Sequence, residues 1–301
     1  MTADKPSMLD PSLVRRLGRL RIRALSSHQG RSRGERRSPR QGSSVEFRDF
    51  RKYEPGDDVR RVDWSVYARL ERLMLRRFVE EEDVGVDILI DQSSSMHFGE
   101  PITKFEFALR IAAILAYVAT NSSDRVGVST FDSKTKARTR ALRGRGHLHN
   151  VIRALGELED GDAPVSQTDL AAVARSYARE SQRRGVVFVI SDFLVGGDYK
   201  RELRLLTRGR CEVNVVQILA PEEFSPHLLG DQMLVDSESG ETCEITVSPR
   251  LLEAYRSEFA RVTHGLESFC RSNGMRHTLA GSDTPLDQFL AKNLIASRMI
   301  G

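Results

Sequence analysis

Apolar residues along this chain follow two rhythms, and their alternation predicts its architecture. Val84-Gly85-Val86-Asp87-Ile88-Leu89-Ile90 and Val186-Val187-Phe188-Val189-Ile190 are short runs rich in β-branched residues, the pattern of strands buried on both faces. Further strands are expected over residues 73–79, 125–131, 213–219 and 275–279, with a short one near 139–142. Residues 103–120 are apolar almost all round, which predicts a helix buried against a sheet. Other helices are expected over 147–158, from Leu170 onward, and over 199–207. Residues 248–273 form the longest, with Ser248 as cap and Pro249 in the first turn. Its Leu252, Tyr255, Phe259, Val262, Leu266 and Phe269 recur at steps of three and four, and Asn273-Gly274 stops it. A last helix opens at Thr284-Pro285. Strands alternating with helices predict an α/β fold, a doubly wound and mostly parallel sheet. Residues 233–247 alternate about Glu238-Ser239-Gly240 and read as a β-hairpin insertion.

The N-terminal part breaks this rhythm. Leu13, Leu17, Leu20 and Leu25 stand among five arginines and predict a short amphipathic helix. Residues 26–44 are Ser, Gly and Arg with no apolar side chain to bury, so a mobile loop is expected there. Residues 1–40 hold 11 Lys/Arg against 3 Asp/Glu, a net of +8, while the whole chain carries only +4. The basic character therefore belongs to the tail. Three regions are expected: a basic, partly disordered tail over 1–40, a segment over 41–82 packed on the core, and the α/β domain over 83–301. In the middle segment Val45, Phe47, Phe50 and Tyr53 suggest extended structure and Pro55-Gly56 a tight turn. Trp64, the single tryptophan, is expected to pack against the body.

Composition adds limits. With 301 residues, 40% hydrophobic and 29% charged, the chain suits a soluble globular protein with a substantial core. Its three cysteines, Cys211, Cys243 and Cys270, lack metal-ligand spacing and read as reduced thiols. The longest apolar run, Ile111 to Ala119, has nine residues, against about 20 for a membrane-spanning helix. A cytoplasmic location without a transmembrane segment is the expectation. The arginine-rich tail attracts anions, but no aromatic residues are interleaved for base stacking, so nucleic acid is not an expected partner.

The candidate chemistry lies where strands end. Asp91-Gln92-Ser93-Ser94-Ser95 puts a carboxylate and hydroxyls on the loop after the 84–90 strand, at the edge where open α/β sheets bind ligands. Hard oxygen donors at this spacing suit Mg²⁺ or another divalent cation. Thr168 opens a helix and Asp192 ends a second strand, so the same sheet edge can collect them. Each also has a plainer reading, Asp and Ser as turn formers and Thr168 as a helix cap.

Together, Asp-x-Ser-x-Ser, the later Thr and the later Asp match the metal-ion-dependent adhesion site of von Willebrand factor A domains. Glu46-Phe47-Arg48, Tyr53-Glu54-Pro55-Gly56-Asp57-Asp58, Arg60, Asp63-Trp64, Ala68-Arg69, the loop from Asp91 to Met96, and Asp124-Arg125-Val126-Gly127 resemble, more specifically, the bacterial Domain of Unknown Function 58 family. The resemblance spans roughly residues 41–290. It implies a von Willebrand A-like fold in which Ser93, Ser95 and Thr168 coordinate Mg²⁺ directly, and Asp91 and Asp192 hold its waters. It also implies a partner carboxylate completing the octahedron, and work alongside a MoxR-type AAA+ ATPase as a chaperone-like module. The chain departs from the usual pattern at two places. Ser166-Gln167 precede the threonine where glycines are common, and Phe193 follows Asp192 where many such domains carry glycine.

The function expected is a non-enzymatic, metal-dependent interaction module. A Mg²⁺-dependent hydrolase or phosphotransferase is the first alternative, since a strand-terminal Asp with Mg²⁺ also serves phosphoryl transfer. Against it, no second acid stands two residues after Asp91 and the chain has no Gly-Lys-Ser/Thr phosphate loop. Nucleic-acid binding through the basic tail is the second alternative.

Overall fold

The computed structural model describes residues 9–23, 45–59, 62–80, 85–132, 142–143, 145–159, 169–180, 185–194, 199–207, 211–226, 229–236 and 240–301. Thr168, the expected 26–44 loop and Arg60 lie outside these residues. Residues 1–27 and 84–301 form one compact unit and 28–83 another.

The larger unit opens with helix α1 (Pro11–Leu17), capped by the Asp10 carboxylate, which accepts the Ser12 N–H at 2.7 Å. Its Leu13 and Leu17 are buried in the main core, and residues 21–23 bond back to the C-terminus, with Arg21 N–H donating to the Gly301 carbonyl at 3.0 Å. The tail expected over 1–40 is therefore not separate from the body here. Leucines at a spacing of four give α1 an apolar stripe, and burying that stripe outweighs the solvation of its arginines. Gly18 ends the helix earlier than the leucine pattern to Leu25 suggested.

In the smaller unit, β1 (Val45–Lys52) and β2 (Met74–Glu80) pair antiparallel, with a register shift between Phe47 and Asp49. Helix α2 (Trp64–Leu70) is capped by Asp63, whose carboxylate accepts the Ser65 N–H at 2.9 Å. Asp57 in the Pro-Gly turn pairs with Arg51, at 2.7 Å for one contact. Trp64 is 62% exposed, so it is not buried within its own unit.

The remaining elements build the sheet and its two helical layers. They are β3 (Gly85–Asp91), α3 (Lys104–Asn121), β4 (Arg125–Phe131), β5 (Leu142–Arg143), α4 (Arg145–Glu159), α5 (Leu170–Glu180) and β6 (Gly185–Ser191). Then follow α6 (Tyr199–Thr207), β7 (Cys211–Leu219), the short α7 (Pro221–Phe224), β8 (Gly230–Val235), β9 (Thr242–Val247), α8 (Pro249–Ser272), β10 (Arg276–Gly281) and α9 (Leu286–Phe289). A π-helical turn, Leu290–Ile295, continues from α9.

Six strands lie in the order β10-β7-β6-β3-β4-β5, all parallel except the edge strand β5. Side chains alternate across each strand. Val86, Ile88, Ile90, Val126, Val128, Val186, Phe188 and Ile190 face one core with α1, α3 and α4. Leu89, Val187, Val189, Val213 and Val215 face the other core, with α5, α6 and the C-terminal part of α8. Both faces are covered, which is why these strands read as continuous apolar runs. This is the doubly wound α/β fold expected from the sequence, and β8 and β9 pair antiparallel as the expected hairpin.

The strand order also locates the site. From β3 the chain moves outward to β4 and β5, and from β6 it moves the opposite way to β7 and β10. The order reverses between β3 and β6. In open α/β sheets the crevice at such a reversal, outside the carboxyl ends of the strands, is where ligands bind.

Candidate metal centre

Asp91 is the last residue of β3 and is fully buried. One carboxylate oxygen accepts the Ser93 N–H at 3.0 Å and the other accepts the Ser191 hydroxyl at 2.7 Å, which ties the ends of β3 and β6 together. The Gln92 N–H donates to the Phe131 carbonyl of β4 at 2.9 Å, and Met96 is fully buried beneath the loop. The loop is thus held at both sides and from below. Its residues Ser94–His97 form a 3₁₀ turn, and the hydroxyls of Ser93 and Ser95 meet at 3.2 Å. Asp91, Ser93 and Ser95 are brought together as their spacing predicted.

Asp192 follows β6 and is also buried, but its carboxylate has a partner that the sequence reading did not supply. The Lys104 ammonium lies 2.7 Å from Asp192 Oδ2 and 2.6 Å from Glu223 Oε1. Lys104 occupies the first turn of α3, behind a capping box in which the Thr103 hydroxyl accepts the Glu106 N–H and the Glu106 carboxylate accepts the Thr103 N–H. Glu223 belongs to α7, where its other oxygen accepts the Ala220 N–H at 2.7 Å. Lys104 gave no signal in the sequence, because a lysine beginning a helix reads as a solvated residue. Glu223 did carry one, since it follows a strand end at the same sheet edge as Asp91 and Asp192.

Asp91 and Asp192 repel each other electrostatically. Burial, and then the charge of Asp192, push the Asp91 carboxyl up to about 6. Burial works against the Lys104 charge, but Asp192 and Glu223 more than offset it and raise its pKa. Partial burial lowers the pKa values of His97 and His277 and favours their neutral forms.

Phe193, the departure from glycine, lies at φ 54°, in the left-handed region that glycine enters freely and an aromatic residue does not. Its ring is buried in the second core and meets Tyr199 edge-on at 5.9 Å. That packing offsets the backbone strain.

Among the described residues, no group of three or more His, Cys, Asp and Glu side chains is arranged to hold a metal ion. A cation here would rely on hydroxyls. The donors fit a hard divalent ion: two facing hydroxyls, a buried carboxylate whose charge is opposed by its surroundings, and the buried Gln92 Oε1, which has no hydrogen-bond partner.

Among known proteins, an uncharacterized protein of Mycobacterium tuberculosis is 30% identical over 273 residues, 86% of each chain. The conserved hypothetical protein BatB from Bacteroides thetaiotaomicron superposes with a TM-score of 0.42 at 16% identity, over 71% of this chain and 98% of that one. The SpRpn10 VWA domain gives 0.37 at 14% identity, over 67% and 90%. No described helix is long and apolar enough to cross a membrane. Residues 49–265 match the family described as Protein of unknown function DUF58, and the chain belongs to that family.

Proposed function

We propose that this chain is a non-enzymatic protein-interaction module of the cytoplasm that docks its partner through a divalent cation, Mg²⁺ by preference. The observation that carries this reading is the pair of facing hydroxyls, Ser93 and Ser95, over the buried Asp91 at the reversal point of the sheet. Ser93, Ser95 and Thr168 would hold the ion directly, and Asp91 and Asp192 would hold its waters. When bound, the ion supplies a concentrated positive charge with open coordination positions. Neutral hydroxyls leave most of that charge uncompensated, so an acidic side chain from outside is the preferred completing ligand. In a partly dry interface that contact is far stronger than in water.

The partner class implied by the family resemblance is a MoxR-type AAA+ ATPase, or a client delivered to it, with the chain acting as a chaperone-like or assembly factor. The test is a titration of purified ATPase against wild type and Ser93→Ala/Ser95→Ala, each with Mg²⁺ and with EDTA. Tight binding only for wild type with Mg²⁺ supports the reading. Four equal affinities overturn it.

A further inference from the structure

Lys104 is in the wrong place for a lysine on two counts. A cation in the first turn of a helix opposes the macrodipole, and a fully buried ammonium loses its hydration. What holds it there is the pair of carboxylates on either side, Asp192 after β6 and Glu223 in α7. We propose that Lys104 is the resident cation of the metal centre, an affinity-setting residue that partly neutralises the Asp192–Glu223 side and so keeps divalent-ion binding weak and reversible. The inference rests on the metal-dependent reading above and deepens it.

The argument is one of charge balance and geometry. Asp91 and Asp192 act on each other electrostatically, and Lys104 touches Asp192 directly, so its charge acts on any ion seated over Asp91, Ser93 and Ser95. In a buried environment of lower effective dielectric, one unit charge alters the binding of a nearby divalent ion more than it would in water. Lys104 also links the centre to α7. The Glu223 carbonyl accepts the Tyr255 hydroxyl of α8 at 2.8 Å, so the ammonium fixes Asp192 against a braced element. A centre without the lysine would hold its ion tightly. With it, the ion can leave when the partner's carboxylate does.

The test measures Mg²⁺ and Mn²⁺ binding by calorimetry, and melting temperature with chelator and with metal, for wild type, Lys104→Gln and Glu223→Gln. Removing the ammonium should tighten binding by about tenfold or more, and removing the Glu223 charge should weaken it by a similar factor. Lys104→Gln should melt below wild type in chelator and gain more on adding Mn²⁺, because the ion then takes over the lysine's role. A purely structural lysine predicts lower stability in both variants and no change in metal affinity. Metal binding by wild type with unchanged affinity in both variants overturns the inference and leaves the metal reading standing. Binding only by Lys104→Gln supports the inference and overturns the metal reading for the native chain. If neither wild type nor Lys104→Gln binds, both fall.

Discussion

The ammonium of Lys104 lies 2.7 Å from a carboxylate oxygen of Asp192, and each side chain is only 1% exposed. Breaking such a pair from one side leaves an uncompensated buried charge, which typically costs about 3–5 kcal/mol. Removing both charges together avoids part of that penalty, although Glu223 then loses its cation. Lys104→Met should lose stability on this scale in urea melts with chelator present, and Asp192→Asn less, because Glu223 still faces the ammonium at 2.6 Å. The double variant should lose clearly less than the sum. Losses that simply add would show that the two groups are not coupled.

The N-terminal helix tests where the core begins. Leu17 has no exposed surface and joins the main core beside Leu13. Leu17→Ala should cost about 2–5 kcal/mol, as expected for a large-to-small change at a buried site. A helix belonging to a dispensable tail would show almost no loss. The readout is the denaturation midpoint at constant m-value.

The parts of this fold legible in the sequence were those written in local pattern. β4 and α6 fall on the residues that periodicity indicated, and Thr103 and Ser248 cap their helices through side-chain bonds. The Asp91-to-Met96 loop was legible because its donors lie within five residues. The contact of Lys104 with Glu223 was not, since the two are 119 positions apart in sequence and meet only when α3 and α7 come together at one sheet edge. Composition does not show how Trp64 sits within its own unit. A lone tryptophan is assigned to a core by composition, yet in this chain it heads a helix and is largely exposed. The Phe193 conformation was also invisible, because a φ that suits glycine leaves no mark when packing compensates for the strain.

The charge strain on Asp91 has a signed pH dependence in metal-free protein. Its carboxyl titrates at about 6 in the folded chain, against ~3.9 for an unfolded aspartate. Between these values the folded state binds more protons, so stability falls as pH rises through about 4 to 6. The full penalty, up to about 3 kcal/mol, is present above that window. Asp91→Asn removes the group, so the stability of wild type minus that of the variant should fall through this window and then level off. Saturating Mg²⁺ should reduce the fall in wild type. A flat difference in chelator would show that Asp91 is not strained.

Trp64 provides the last test, and the chain's composition makes it clean, because it is the only tryptophan. The residue is 62% exposed and its ring meets Tyr67 edge-on at 6.1 Å. An indole in water emits at longer wavelength than one in an apolar interior, and soluble quenchers reach it. The native protein should therefore show red-shifted emission, efficient quenching by acrylamide and iodide, and only a small further shift on unfolding. Tyr67 and Leu70 on the same helix are exposed as well, so Trp64→Ser should change stability by less than about 0.5 kcal/mol, the range of ordinary surface substitutions. A blue-shifted, quencher-resistant native spectrum would place the indole in a core. A blue shift that develops only when a partner is added would instead mark the Trp64 face as covered in the complex.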